Sequence, residues 1–325
     1  MRRTIYVMSF AIATAILWIS VAGSAVAEPF KIAHTTWVGY GPLYLARDLG
    51  YFKEEGVEVE LIVTEEKSLQ MATLMGGKVE AVAGTVDEYL LYMKPESCLR
   101  YVVALDESNG GDGIVALKEI ESVKDLKGRT VAANEGSVSQ FWLNVLLKEA
   151  GLSQSDVNFV NMTATDAGTA FVAGRVDAAV TWEPHLTEGK QTDHGHLLVD
   201  SSATPGVIVD VIAVLCETAE NRADEIKGIV RGWNRAVDYW TSNPANANEI
   251  MAKGVGGWLE DPQVFAETLE GVKFTGADLN KEYFGSKDSP LYQSVAYAIE
   301  IWSELGRLNT DVVADELITS EFLPQ

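Results

Sequence analysis

Basic residues are scarce in this chain of 325 residues. Lysine and arginine total 25 against 47 aspartates and glutamates, which gives a formal net charge of −22. Because such a chain repels phosphate backbones and anionic headgroups, we expect neither a nucleic-acid partner nor binding to an anionic membrane surface. The excess is compatible with a cationic ligand but does not indicate one by itself, since acidic surfaces also keep proteins soluble.

Cysteine is nearly absent as well, because Cys98 and Cys216 are the two in the chain. Two distant cysteines cannot supply a cysteine-rich catalytic or metal-binding motif. In an oxidising compartment they could form a disulfide, and two free thiols with apolar neighbours are equally compatible with the sequence.

Catalytic and metal-binding patterns are also missing. No Ser/His/Asp arrangement is readable, and the histidines at 185, 194 and 196 lie near Asp193 in a polar stretch where such side chains usually face solvent. We therefore predict neither an enzyme nor a metal site, and no cofactor.

The chain has one long apolar run, at residues 7–21. Arg2 and Arg3 precede it, and the small residues Ala25 and Ala27 form a cleavage site before Glu28. The run is short for a membrane span, so we predict that residues 1–27 are a removable signal peptide and that the mature protein is periplasmic.

Residues 30–62 organise the first part of the chain. A β-prone run is followed by a turn with two aromatics, a helix with Pro42 in its first turn, and an alternating second strand. Ligands of open α/β sheets lie beyond the carboxyl ends of the strands. Trp37 and Tyr40 in the turn are thus candidates for a pocket wall, or alternatively cover the core below.

The next helix is predicted over residues 68–75, with Leu69, Ala72 and Met75 facing inward.

Two parts of the chain share a short internal sequence similarity. Residues 77–81 resemble residues 174–178, and each copy leads from a helix through a glycine and a strand to a carboxylate, Asp87 or Glu183. Two lobes of this kind would bring Asp87 and Glu183 to opposite walls of one cleft. Alternatively, both acids cap helices.

Several segments carry a resemblance to a known family: the first strand with its turn, and residues 45–59, 125–132, 174–179 and 182–184. In this order and spacing the chain resembles the periplasmic substrate-binding proteins of ABC importers. Within them it resembles the nitrate/sulfonate/taurine and thiamine-pyrimidine-precursor (NMT1/THI5-like) superfamily. The resemblance implies a small-molecule ligand, an ABC permease with its ATPase as partner, and a monomer.

The same resemblance implies an α/β fold of the type II periplasmic binding proteins, with two Rossmann-like lobes joined by two crossing strands. The first lobe would comprise residues 28–113 and 210–325, and the second residues 114–209. The crossings are expected near residues 113–117 and 209–215.

A narrower resemblance rests on residues 37–40, 106–114, 137–139 and 201–206, which are similar to the binding proteins encoded beside urea carboxylase. That group is associated with the use of urea or guanidine.

The predicted cleft collects acids and aromatic rings, with two serines at a helix start. The predicted ligand-binding residues are Trp37, Tyr40, Asp87, Asp106, Asp112, Ser137, Ser139, Trp182, Glu183 and Asp210. Unpaired carboxylates would repel an anion, whereas a planar guanidinium pairs with carboxylates and stacks on aromatics. We therefore expect a small guanidine-, amidine- or urea-like ligand.

Other ligands and roles stay open. Ser137 and Ser139 at a helix N-terminus also suit an anion such as a sulfonate, taurine or nitrate. This stretch offers no nearby basic residue for an anion, however, apart from Arg129 at the far end of its strand. A thiamine-pyrimidine precursor is a further alternative. A ligand sensor has the same closing cleft, and a pyrimidine-synthase-like enzyme would need a cysteine-rich motif that this chain lacks.

Overall fold

The structure, a computed structural model, describes residues 28–324. The predicted signal peptide, residues 1–27, lies outside the described residues. Within the described range the chain forms two mixed β-sheets covered by helices, and none of these helices combines the length and apolar character that crossing a bilayer requires.

The strands follow one another in short units along the chain. They are β1 (Phe30–His34), β2 (Val59–Val63), β3 (Ala81–Thr85), β4 (Leu99–Ser108), β5 (Asp112–Leu117), β6 (Thr130–Ala133), β7 (Asn158–Asn161), β8 (Ala178–Trp182), β9 (Gly195–Asp200), β10 (Val209–Leu215) and β11 (Val272–Phe274).

Helices separate the strands and dominate the C-terminal part. They are α1 (Gly41–Asp48), α2 (Tyr51–Glu54), α3 (Lys67–Met75), α4 (Val86–Leu90), α5 (Val138–Glu149), α6 (Ala164–Val172), α7 (His185–Lys190), α8 (Cys216–Asn221), α9 (Ala223–Ser242), α10 (Pro244–Val255), α11 (Pro262–Thr268), α12 (Ala277–Phe284), α13 (Pro290–Glu304) and α14 (Ala314–Leu317).

The two sheets share one pattern. The first has the order β11-β4-β10-β3-β1-β2, with β1 parallel to β2 and β3, and β10 antiparallel to β3 and β4. The second has the order β7-β6-β8-β5-β9, with β6 parallel to β7 and β8, and β5 antiparallel to β8 and β9. In both sheets, therefore, a parallel trio lies beside one antiparallel strand.

The opening β-turn-α-β unit forms as the sequence predicts. Pro42 lies in the first turn of α1, where its missing N–H leaves no hydrogen bond unmade. Gly50 follows the helix with φ of 80°, a left-handed conformation that glycine adopts without strain. The chain then reverses, and β2 pairs with β1 in parallel register from Phe30 opposite Val59.

Both sheets are buried on both faces. Alternate residues of a strand enter different apolar clusters: Ile32 packs into one cluster and Ala33 into another, and Ile114 and Val115 divide in the same way in the second sheet. This double burial is what a central sheet covered by helices on both sides requires.

Two short segments, residues 109–111 and 201–208, connect the sheets. The strands expected to make the crossings, β5 and β10, each lie within one sheet. The side chains of Ser108 and Ser201 hydrogen-bond at 2.9 Å where the two segments run side by side. A disulfide joins Cys98 and Cys216, so of the two possibilities left open by the sequence the structure has the disulfide and not two free thiols. It links the start of β4 to the end of β10.

Helix α3 presents a different face from the one predicted. Leu69 is 53% exposed, whereas Gln70, Met71 and Leu74 are buried. The inward face therefore runs through positions 67, 70, 71 and 74, the i, i+3, i+4, i+7 pattern of a helix stripe. The prediction that Leu69 and Ala72 face inward was wrong.

Candidate functional site

A pocket lies between the two sheets, at the carboxyl ends of the parallel strands. Its empty volume is about 330 Å³. The residues that line it are Thr35, Trp37, Tyr40, Lys67, Thr85, Glu88, Asp112, Val138, Trp182 and Asp210. Both sheets contribute, since Asp112 and Trp182 belong to the second sheet and most of the others to the first or its helices.

Two of the acids occupy equivalent places in the two sheets. Asp112 begins the antiparallel strand β5 and lies opposite Trp182, the last residue of β8. Asp210 stands near the start of the antiparallel strand β10 and lies opposite Thr85, the last residue of β3. The internal sequence similarity therefore corresponds to strands β3 and β8, which occupy corresponding places in the two sheets. The carboxylates opposite the ends of these strands are Asp210 and Asp112.

The carboxylate of Asp210 is buried and held by an aromatic residue. The hydroxyl of Tyr40 donates a hydrogen bond to Asp210 Oδ1 at 2.5 Å. Burial raises the pKa of Asp210 to about 7, against the lowering effect of that hydrogen bond. Burial and the neighbouring Asp210 raise the pKa of Tyr40 well above its ordinary value, so the hydroxyl keeps its proton and stays a donor.

Asp112 faces the same pocket with only 6% of its surface exposed. Burial raises the pKa of Asp112 to about 7, partly offset by the nearby Ser108 hydroxyl. Within the described part of the chain the pocket wall carries no arginine, and Lys67 is its one basic residue. Two buried carboxylates are thus left with little positive charge around them.

Lys67 forms an ion pair with a third acid, Glu88. Neither Lys67 nor Glu88 was among the residues predicted from the sequence. Lys67 Nζ lies 2.6 Å from Glu88 Oε2, with side-chain exposures of 11% and 4%. Glu88 lines the pocket from α4, and Lys67 reaches it from the first residue of α3. Only Met71 and Leu74 of the inward stripe of α3 are apolar, so the hydrophobic pattern carries no signal that would have found Lys67.

Asp106 lies behind the pocket wall rather than in it. The indole Nε1–H of Trp37 donates to Asp106 Oδ1 at 3.2 Å, while Oδ2 is buried without a hydrogen bond. Burial, reinforced by Asp210, raises the pKa of Asp106 well above its ordinary value. A Cβ at Gly39 would stand 2.3 Å from Asp106 Oδ2, so the turn above this carboxylate needs glycine.

Asp87 is not on the pocket wall. It is buried in the first turn of α4, and burial together with neighbouring Glu88 raises the pKa of Asp87 well above its ordinary value. Successive helix residues point about 100° apart. Glu88, the next residue, is the one that reaches the pocket.

The two serines at the start of α5 also lie outside the pocket lining. Ser137 is the N-cap of α5, where its side chain accepts the backbone N–H of Ser139 at 3.2 Å. The hydroxyl of Ser139 is buried without a hydrogen bond. Between them Val138 faces the pocket, so α5 contributes an apolar contact there.

Glu183, like Asp87, does not line the pocket. Its carboxylate accepts the backbone N–H and the hydroxyl of Thr187, both at 3.0 Å, and lies 3.6 Å from Lys190 Nζ. The helix-capping alternative therefore describes its position, because α7 begins two residues later and both carboxylate oxygens are occupied by that helix.

The three histidines of the second sheet region have separate partners. His185 contacts Glu188 at 2.9 Å, His194 donates to the Phe171 carbonyl, and His196 donates to the Ile120 carbonyl. Between residues 28 and 324 no cluster of three or more potential metal ligands occurs.

Comparison with known proteins places the chain in a family. A model of the family described as NMT1/THI5 like matches residues 37–247, more than half of the chain. A putative binding protein of Brucella abortus is 23% identical over 286 residues, which are 86% of this chain and 86% of that protein. A putative aliphatic sulfonates-binding protein of Escherichia coli is 42% identical over 137 residues, 42% of this chain and 43% of that protein.

A solved structure matches the fold. The periplasmic aliphatic sulphonate binding protein of Escherichia coli superposes with a TM-score of 0.71 at 19% sequence identity, covering 91% of this chain and 99% of that one. The fold is thus the two-lobe α/β fold of periplasmic binding proteins, as the sequence resemblance implied.

Proposed function

The chain belongs to the NMT1/THI5-like family, and from that premise we propose that it is an extracytoplasmic solute-binding protein. It captures a small, nitrogen-rich ligand such as guanidine, an amidine or urea between its two sheets and delivers it to an ABC permease. The names of its binding-protein relatives and its fold support the general role. The chemistry of the pocket supports the ligand class.

The observation that carries the ligand proposal is the pair Asp112 and Asp210. Both are buried, both face one pocket, and its single basic residue, Lys67, is bound to another acid. Removing carboxylates from water is costly unless a positive charge or several hydrogen-bond donors compensate them. A guanidinium ion supplies both, because its N–H groups form paired hydrogen bonds with carboxylates.

The aromatic lining fits the same ligand. Trp37, Tyr40 and Trp182 belong to the pocket wall and bring flat rings beside the two carboxylates. A planar cation over such a ring gains about 0.5–2 kcal/mol. Urea is neutral, but its four N–H donors match the same acceptor oxygens.

A sulfonate is the second candidate, and two observations favour it. One relative is named for aliphatic sulfonates, and Lys67 places an ammonium group at the pocket wall. Against it, that ammonium already contacts Glu88 at 2.6 Å, and a sulfonate would enter a pocket with two further carboxylates. Like charges at close range disfavour such a complex.

Calorimetric titration of the purified mature protein tests the proposal. Guanidinium chloride, urea, taurine and sodium nitrate are compared, with sodium chloride as the salt control. We expect guanidinium or urea to bind, and Asp112→Asn and Asp210→Asn each to weaken that binding at least about tenfold. Asp311→Asn, an exposed acid away from the pocket, is the matched control and leaves binding unchanged. Tight binding of taurine or nitrate with no response to guanidinium or urea overturns the ligand class.

A further inference from the structure

Lys67 and Glu88 form an ion pair that is nearly sealed from solvent inside the pocket wall. Besides the 2.6 Å contact with Glu88, Lys67 Nζ lies 3.4 Å from the side-chain oxygen of Gln70, which is itself buried. Gly84 makes room for the pair, since a Cβ there would stand 2.9 Å from Glu88 Oε2 and 3.1 Å from Lys67 Nζ. The ammonium group is thus held at one place on the wall.

This pair divides the acids of the pocket into two kinds. Glu88 is already neutralised by a cation that the chain itself supplies, whereas Asp112 and Asp210 are left for a ligand. A buried carboxylate that loses its only cation becomes a strong site for another one, because an uncompensated buried charge is costly. Lys67 therefore occupies the place that a second positive group of a ligand would take.

We propose that Lys67 is a specificity-determining residue that restricts the pocket to ligands with a single cationic or N–H-rich group. It fills the Glu88 position with its own ammonium, so a second ammonium group that approaches Glu88 meets a like charge there instead of a free carboxylate. Discrimination of this kind rests on repulsion of the wrong ligand as much as on attraction of the right one. The inference rests on the proposed function, because it assumes that the pocket binds nitrogen-rich ligands.

The test compares two amines that differ by one ammonium group, 1,3-diaminopropane and propylamine, with guanidinium as reference. Lys67→Met keeps most of the side-chain length but removes the charge and frees the place of Nζ. We expect the ratio of diamine to monoamine affinity to rise at least about tenfold in this variant. Lys67→Arg, which retains the cation, should behave as the unmodified protein.

A double variant separates this role from a merely structural one. Lys67→Met combined with Glu88→Gln removes both charges, so the gain in diamine affinity should disappear although the lysine is still absent. Thermal unfolding of each variant reports whether it folds. Equal diamine-to-monoamine ratios in Lys67→Met and in the double variant would overturn the inference.

Glu88→Gln alone provides a reading that does not depend on the stability of Lys67→Met. It leaves the lysine ammonium without its carboxylate, so we expect guanidinium affinity to fall at least about tenfold and taurine affinity to rise. Unchanged guanidinium affinity in Glu88→Gln contradicts the inference. If the unmodified protein binds neither guanidinium nor urea, the proposed ligand class fails and the inference fails with it. If it binds them but the ratios do not move, only the role of Lys67 is lost.

Discussion

At the scale of single residues, Asp112 and Asp210 make ligand capture depend on pH. Burial raises the pKa of each carboxyl from 3.8 to about 7. Both acids therefore gain most of their negative charge as the pH rises through neutrality. We predict that the affinity for guanidinium increases between about pH 6 and pH 8, measured by calorimetry in buffers of equal ionic strength.

Stability of the ligand-free protein should change in the opposite direction. Between about pH 4 and pH 7 the folded chain holds protons on these two acids that the unfolded chain releases. The free energy of unfolding therefore falls as the pH rises across this window. Asp210→Asn should flatten both profiles, whereas Asp311→Asn should leave them unchanged. Guanidinium binding that is independent of pH from about 5 to 8 would show that these carboxyls do not contact the ligand.

Half of the residues that line the pocket were among those predicted from the sequence. The predicted residues that line the pocket are Trp37, Tyr40, Asp112, Trp182 and Asp210. They share one feature that a sequence displays, which is a polar or aromatic side chain at a strand end or in the turn that follows it. Lys67 and Glu88 lie inside helices instead, and for such residues the direction of the side chain depends on the exact phase of the helix.

At the scale of elements, the start of α5 allows a test of whether Ser137 caps the helix or binds the ligand. Ser137 accepts the backbone N–H of Ser139, as an N-cap residue does. We predict that Ser137→Ala lowers the free energy of unfolding by about 1 kcal/mol and leaves guanidinium affinity unchanged. Calorimetric thermal unfolding is the suitable measurement, because urea and guanidinium are both candidate ligands.

An anion bound at the start of α5 would give a different result. Its affinity would depend on the donors of that helix end, so Ser137→Ala would weaken taurine or nitrate binding as well as stability. Ser153→Ala is a useful control, since Ser153 caps an exposed turn outside the pocket, where its hydroxyl donates to Asp156 Oδ2 at 3.0 Å. Loss of ligand binding in Ser137→Ala alone would favour the anion.

Helix phase explains why some elements could be predicted only in part. The sequence indicated a helix over residues 68–75 with Leu69, Ala72 and Met75 inward, but Leu69 and Ala72 are exposed, and Gln70 and Leu74 are buried instead. A shift of one residue turns a helix face by about 100°. The buried Gln70 is polar, so hydrophobicity alone could not set the phase of the helix. With the wrong phase, Lys67 was not predicted to face the pocket.

At the scale of the whole molecule, the order of strands in the sheets could not be read from the sequence. Strand β10 inserts between β3 and β4 although more than a hundred residues separate it from either. Local patterns carry no information on such distant pairing. The resemblance to a family supplied the two-lobe architecture, and the boundaries of the lobes at residues 113 and 210 stay a prediction.

Helix α5 connects the two halves of the molecule. Phe141 packs in an apolar cluster with Trp302 of α13, whereas its neighbour Trp142 packs in a cluster of the second sheet. Arg307 adds an ion pair of 2.5 Å to Glu135, just before α5. These contacts hold the two halves of the molecule together near α5, whose Val138 also belongs to the pocket wall.

Ligand binding should change the distance between the two halves. Without a cation, Asp112 from one sheet and Asp210 from the other repel each other across the pocket, which favours separation. We predict that guanidinium lowers the radius of gyration measured by small-angle X-ray scattering and alters the fluorescence of Trp37 and Trp182. Asp210→Asn should bind weakly and show little change on adding the same concentration. A radius of gyration that stays constant while calorimetry reports binding would mean that the two halves do not move, and that the pocket is preformed around its ligand.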